Sequence, residues 1–465
     1  MTSKQIKGGS RRRLMASYGL GDGGTGLAAT QLGFYLFPFF TGVAGLPAFI
    51  AGSILMVIKI WDAINDPLIG WLSDNTQSRW GPRLPWMIGA AAPLGIFLAG
   101  MWWVPPGDTA QKTAYYLVMA ILLMTAYTGV NLPFAALSTE LTEETSIRTR
   151  LNAARFTGSI FAGLSGLVVA ANLISNGPSG YLTMGRITGL IATIITLISC
   201  WGLAPFAKTA RKPVLNKEPF THQIKRILRN TRFLKVIGLY LLLWVALQLM
   251  QTVALIYLEE VMSVPKELSK WMPIPYQVSA LFGLQGWSFF SNKYGRIAAF
   301  NAGSRLWITA CIILMILPSL TAGQTLTDII YWPLIEITKL IALTLTLVIL
   351  GYGASTAYLI PWSLLPDAID NDPDKPAGIY TAWMVLIQKI GIGLSVQLLG
   401  VLLSIAGYRS FTACNEQLEC LSQPLSALIT IRLCIGLIPI SLVVIGILIM
   451  RSWPDSFSHL KASKQ

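Results

Sequence analysis

The sequence is poor in charge. Only 12% of its 465 residues are Asp, Glu, Lys or Arg, about half the share of a soluble domain, which excludes a cytosolic enzyme and a charged, disordered chain. Histidine is nearly absent. His222 and His459 are the only two, and no zinc hydrolase site is built from so few. Five cysteines in this length exclude a disulfide scaffold, and no Gly-Lys-Ser/Thr loop is present to cradle a nucleotide phosphate. Gly19-Leu-Gly-Asp-Gly-Gly24 matches the dinucleotide-binding pattern, but it follows a basic tail with no strand before it, so the match carries no chemistry.

What the chain has instead is apolar sequence, 54% of the total, in stretches of about twenty residues that recur from end to end. With Gly and Pro as punctuation, the runs predict twelve helices near 17–41, 46–72, 85–104, 113–138, 152–174, 184–206, 233–258, 272–291, 299–319, 331–357, 379–406 and 425–450. Helices are the economical choice in lipid because each satisfies its own backbone. The sequence therefore predicts an all-α integral membrane protein whose environment is the bilayer. Lys and Arg crowd the amino terminus, the even-to-odd loops and the carboxyl tail, which predicts that both termini are cytoplasmic and places the protein in the plasma (inner) membrane. The net charge of +14 is then a matter of topology and calls for no nucleic acid.

The longest internal loop carries Lys208, Arg211, Lys212, Lys217, Lys225, Arg226, Arg229 and Arg232. It divides the chain into an amino-terminal six-helix half (1–206), a basic cytoplasmic linker (207–232) and a carboxyl-terminal six-helix half (233–465). A weak repeat accompanies the division. Gly70-Trp71, Asp74, Arg79, Gly81 and Arg83 after the second span are echoed by Gly286-Trp287, Asn292, Lys293, Gly295 and Arg296 after the eighth. Parallel six-span repeats are the mark of major facilitator transporters. Cys414 and Cys420 share the last outer loop and are spaced so that they could pair in an oxidising compartment.

Charges inside spans cost on the order of 2.5–3.5 kcal/mol at a helix centre and mark function. The densest set is Lys59-Ile-Trp61-Asp62-Ala-Ile-Asn65-Asp66-Pro67. Asp62 and Asp66 are four apart and Asn65 three from Asp62, so all three share a helical face. Two neighbouring carboxylates repel, and a small cation or a proton resolves that cost; the alternative is a structural ion pair with Lys59. Arg155 on the fifth span and Lys389 on the eleventh are isolated cations, each suited to substrate hydroxyls or to a counter-ion role. Asp22 on the first span is a candidate for the same pocket. Inner-gate ion pairs are expected from Asp74, Arg79, Arg83, Arg148, Asp367 and Asp370, with plain solvated turns as the alternative.

These residues resemble a family. Trp61-Asp62-Ala-Ile-Asn65-Asp66-Pro67, followed by Gly70-Trp71 and Ser78-Arg79-Trp80-Gly81, is similar to the melibiose permease-like glycoside–pentoside–hexuronide:cation symporters. Tyr18-Gly-Leu-Gly-Asp22, Asn131-Leu-Pro133-Phe134 and Leu365-Pro366-Asp367 running to Gln388-Lys389 agree in order. The resemblance implies the major facilitator fold and alternating access, with a sodium ion or proton as coupling ion, no other cofactor, and a monomer. By position it implies a cation site at Asp62, Asn65, Asp66 and Thr128, with Asn131 where the family has a further carboxylate. Arg155 and Lys389 match basic residues of the family's sugar pocket. Its first-span Lys-Asp pair falls on Thr25 and Gly26, and its tryptophan platform on Ala135. The expected activity is cation-coupled symport of a sugar or glycoside, the substrate differing from melibiose. A cation-dependent lysolipid carrier of the same superfamily is the alternative, and an uncoupled facilitator a more distant one.

Overall fold

A computed structural model describes residues 8–141, 145–208, 220–320, 334–370, 372, 377–410, 423–451 and 453. Among them every regular element is helical. Cys414, Cys420 and much of the basic linker lie outside the described residues, as does the side chain of Arg148. Two compact units form, Met1–Asn216 with Arg409–Cys420, and Lys217–Tyr408 with Leu421–Gln465.

The first unit contains α1 (Gly8–Gly21), α2 (Gly23–Gly42), α3 (Ala48–Asp74), α4 (Leu84–Met101), α5 (Thr109–Leu141), α6 (Thr145–Leu173) and α7 (Gly177–Ala207). The second contains α8 (Phe220–Arg229), α9 (Thr231–Ile256), the short α10 (Lys266–Ser269), α11 (Pro273–Tyr294), α12 (Arg296–Ile316), α13 (Leu334–Ala354), α14 (Thr356–Ile369), α15 (Ala377–Ile405), α16 (Leu425–Ile435) and α17 (Leu437–Arg451). Nine stretches among the described residues are long and apolar enough to cross a membrane, and the 54-residue stretch Ala154–Ala207 holds two spans joined by a tight turn at Ile174–Asn176. Glycine, threonine and glutamine dilute α2, and serine, glutamine and proline dilute α11; these two complete the twelve expected spans.

Three spans differ from the sequence expectation. The first begins earlier, at Gly8, and breaks at Asp22, whose backbone (φ −94°, ψ 1°) leaves the helix between α1 and α2. The tenth does not end near 357 but continues as α14 through Pro361 and Pro366. Proline is tolerated within a span where neighbours can serve the backbone it frees; between the two prolines Arg296 Nη1 donates to the Ser363 carbonyl at 2.6 Å. The twelfth is broken at Gly436 between α16 and α17.

Lipid offers little hydrophobic drive for helix association, so close approach by small residues holds spans together. Within the first unit α2 packs on α6, α4 on α7 and α5, and α3 on α5. A methyl group added at Gly158 of α6 would overlap the backbone carbonyl of Gly19 on α1, so only glycine permits that crossing. At one end of the unit Phe39, Phe40, Trp102, Tyr116 and Tyr181 interlock with ring centroids 4.7–6.2 Å apart, a geometry worth roughly 0.5–1.5 kcal/mol per pair beyond burial. Toward the other end Tyr18 stacks on Phe134 at 4.5 Å and donates its hydroxyl to the Phe134 carbonyl at 3.1 Å.

Candidate functional site

The face expected on the second span is present on α3. Asp62 and Asn65 are buried and Asp66 is half-buried. Thr128 Oγ1 of α5 donates to Asp62 Oδ1 at 3.1 Å. Trp61 Nε1, one residue before, donates to Thr125 Oγ1 at 3.0 Å, so α3 and α5 are tied on adjacent turns. Asn65 Nδ2 reaches the Met124 carbonyl only at 3.5 Å, the long limit of a hydrogen bond. Its amide is therefore loosely held and has its oxygen to offer a ligand.

A second cluster centres on Asp22, which is 6% exposed. Its carboxylate accepts from Thr25 Oγ1 at 2.7 Å, Asn131 Nδ2 at 2.8 Å and Arg155 Nε at 2.9 Å. Arg155 lies over the rings of Phe134 and Phe156 at 5.5 and 5.7 Å. The structure thus brings Asp22 and Arg155 together as an ion pair. It places Asn131, expected beside Asp62, with Asp22 instead. Thr128 and Asn131 sit three apart on α5, so one helical face serves both clusters. Tyr127, between them, is within electrostatic reach of Asp22, Asp62, Asp66 and Arg155.

Lys389 belongs to the second unit, half-buried on α15. Beside it in sequence, Gln388 Oε1 accepts from Tyr240 at 2.8 Å, and Tyr240 accepts from Trp362 Nε1 at 3.2 Å. Tyr240, Trp244, Tyr358 and Trp362 meet edge to face at 5.2–6.0 Å, and Trp362 remains 36% exposed. Sequence reasoning missed this set. Its signal was available as two aromatic pairs at i, i+4 spacing, Tyr240/Trp244 on α9 and Tyr358/Trp362 on α14.

Of the expected gate residues, Asp74 and Arg83 pair with each other and Asp367 pairs with Arg296, each within its own unit. Arg83, 5% exposed, bonds Asp74, Glu140 (2.6 Å) and Ser73 Oγ (2.6 Å). In the second unit Arg296 bonds Asp367 at 2.6 Å. The arginine that opens the third span reaches an acid at the end of the fourth, and the one that opens the ninth reaches an acid at the end of the tenth. The weak sequence repeat therefore has a geometric counterpart. Arg79 does not join these pairs but lies over Trp80 at 4.8 Å. Asp370 is exposed at the end of α14, and unpredicted Asp372 takes Arg226 at 3.0 Å and Tyr380 at 2.8 Å. Glu140 lies beyond the apolar run of the fourth span, which gives way in the sequence to Ser138-Thr139-Glu140. Burial raises its carboxyl above the usual glutamate value, with Arg83 pulling the other way.

Comparison with known proteins gives a consistent picture. Residues 17–454 match the family described as MFS/sugar transport protein. An uncharacterized symporter of Synechocystis sp. is 31% identical, over 94% of this chain and 93% of its own. The sodium-dependent lysophosphatidylcholine symporter 1 of Xenopus tropicalis is 23% identical, over 94% and 86%. Among solved structures, a mutant of the nucleoside transporter NupG superposes with a TM-score of 0.66 at 14% identity, over 95% of this chain and 99% of that one, which speaks to the fold alone.

Proposed function

Since the chain belongs to the MFS/sugar transport protein family, a family of transporters and not enzymes, and is a cation symporter of the multi-pass membrane type, we propose that it couples a sodium ion or proton to the symport of a sugar or glycoside by alternating access. The observation that carries the reading is the buried Asp62 carboxylate, bonded to Thr128 and sharing its helical face with Asn65 and Asp66. Carboxylate, hydroxyl and amide oxygens are the ligands that hard cations favour. A proton would neutralise the same group.

Substrate contact falls to two sets. In the first unit the Asp22–Arg155 pair offers both an acceptor and a donor to hydroxyls. In the second, Lys389 and Gln388 stand by an aromatic cluster whose exposed Trp362 gives an apolar face to a sugar ring. An exposed ring face of this kind favours the sugar. The link between cation and substrate is α5: Thr128 feels the charge state of Asp62, and Asn131, three residues on, holds Asp22. Filling the cation site therefore repositions the partner of Arg155, and by reciprocity substrate raises cation affinity by the same factor. The cytoplasmic pairs at Arg83 and Arg296 are the gate, acting as latches within each unit.

The sodium-dependent lysophosphatidylcholine symporter among the relatives favours a second reading, an amphipathic substrate. Uptake into energised vesicles separates the two. Labelled glycosides, pentoses and lysolipids are offered with and without sodium to the wild type and to the double variant Asp62→Asn, Asp66→Asn. Cation-dependent accumulation of one sugar, lost in the variant, is the expected result. Movement of lysolipids alone would replace the substrate, and equal behaviour of both proteins would end the coupling argument.

A further inference from the structure

The first unit carries a groove of about 520 Å³ that the transport reading does not use. This lies within the roughly 300–1,000 Å³ typical of ligand pockets. Its walls come from α3, α4 and α5, three helices long and apolar enough to span a bilayer. The lining is mostly apolar; Ile69, Ala126 and Gly129 are buried, Ala90, Pro93 and Phe97 half-buried, and Gly89 and Leu122 exposed. Large apolar side chains on the same helices, Ile88, Ile96 and Val118, are exposed, as expected of a face turned to lipid. At one end the groove is closed by Thr76 and Trp86, joined by a 2.7 Å hydrogen bond from the indole. Just beyond, in the turn between α3 and α4, stands exposed Arg79 over Trp80. The other arginine of that turn, Arg83, is held by Asp74 and Glu140.

An apolar groove among membrane-spanning helices, with a cation and an indole in the turn that follows its lining residue Thr76, suits a two-part ligand. We propose that it holds one acyl chain of an anionic bilayer phospholipid, with the phosphate against Arg79. The basic end of the groove is the end that the Lys/Arg distribution assigns to the cytoplasmic leaflet, where anionic lipids attract exposed basic side chains. The indole of Trp80 sits where amphipathic rings prefer the headgroup level. Thr125, which receives Trp61, also lines the groove. An occupant therefore rests against the α3–α5 contact that carries Asp62 and Thr128.

Gly89 provides the test, because nothing lies within 4 Å of a methyl group added there. Gly89→Leu sets a branched side chain at the groove wall, starting from a Cβ that meets no neighbour, and improves helix propensity. Gly42, on α2, is equally open and serves as a control. Full-length protein is reconstituted in phosphatidylcholine vesicles containing a small fraction of either phosphatidylglycerol or phosphatidylcholine with a photoactivatable acyl chain, and the adducts are mapped by mass spectrometry. The expected result is adducts concentrated on 84–101 and 122–129, favouring phosphatidylglycerol. Labelling should fall roughly tenfold in Gly89→Leu, less in Gly89→Ala, and not in Gly42→Leu, with thermal midpoints unchanged. Arg79→Gln should abolish the headgroup preference and retain the phosphatidylcholine labelling. Adducts spread evenly over the lipid-facing helices, labelling unchanged in Gly89→Leu, or equal labelling by the two lipids would overturn the proposal. Displacement of the label by excess lysolipid would overturn it too, by making the occupant a transported solute. None of these readouts measures transport, so the outcome is independent of the coupling reading.

Discussion

Asp62 and Asp22 are both buried acids, yet their surroundings differ. Asp22 is held by three donors within 2.9 Å, one of them the Arg155 guanidinium, whereas Asp62 accepts from the Thr128 hydroxyl at 3.1 Å and shares its helical face with the Asn65 amide. A carboxylate already neutralised by an arginine is a poor ion ligand, and hydroxyl and amide oxygens beside a carboxylate suit a cation, so the proposed binding role is given to Asp62. Hydrogen bonds to charged groups are worth about 1.5–3 kcal/mol; Thr128→Val should therefore weaken the coupling cation by at least about tenfold, read as the concentration giving half-maximal uptake. An unchanged value would remove Thr128 from the site. Asp22 answers to a different test. Removing one partner of a buried pair costs more than removing both, so Asp22→Asn should lower the thermal midpoint in detergent, and adding Arg155→Gln should recover part of the loss. Additive effects of the two substitutions would show that the pair is not coupled. The carboxylate face of α3 was legible in the sequence because i, i+3 and i, i+4 spacing is a local property of a helix. The Asp22–Arg155 pair was not legible as a pair, because 133 residues separate its members.

Helices set which of these groups meet. The face of α5 presents Thr128 to α3 and Asn131 to Asp22, and the break at Asp22 lets α1 and α2 pass α6 where Gly19 and Gly158 touch. At the far end of the same helix, Glu140 supplies a pH response. Its folded value is raised by burial, so the folded protein holds that proton more tightly than the unfolded chain does. The cost of keeping Glu140 ionised is present at neutral pH and disappears as pH falls through the raised value. On acidification toward that value the thermal midpoint of the wild type should rise relative to Glu140→Gln; parallel curves for the two proteins would contradict the assignment. In the second unit the aromatic pairs of α9 and α14 form one cluster. Trp362→Ala should raise the substrate KM with little change in cation affinity, since it takes away a ring face and no ion ligand. A change in cation affinity alone would place Trp362 outside the substrate set.

For the whole molecule the question is how much work the cation can do. A potential of about 100 mV is worth roughly 2.3 kcal/mol per charge, and a tenfold cation gradient adds about 1.4 kcal/mol. Together they allow accumulation of a neutral substrate by on the order of 500-fold. Vesicles given both gradients should approach that ratio, and an ionophore should collapse it to equality; accumulation that survives the ionophore would mean another source of energy. The membrane class, the number of spans and the helix that carries the proposed cation ligands followed from composition and spacing, because lipid admits little but helices and a helix has one period. Family resemblance added the coupling chemistry, and the family match bears that resemblance out. Which polar groups pair, that Asn131 serves Asp22, that α14 runs on past its prolines, and that an apolar groove lies behind the cation face were decided by packing. Those contacts depend on how each helix is rotated and how closely glycines let it approach, and neither quantity is written in any single stretch of the chain.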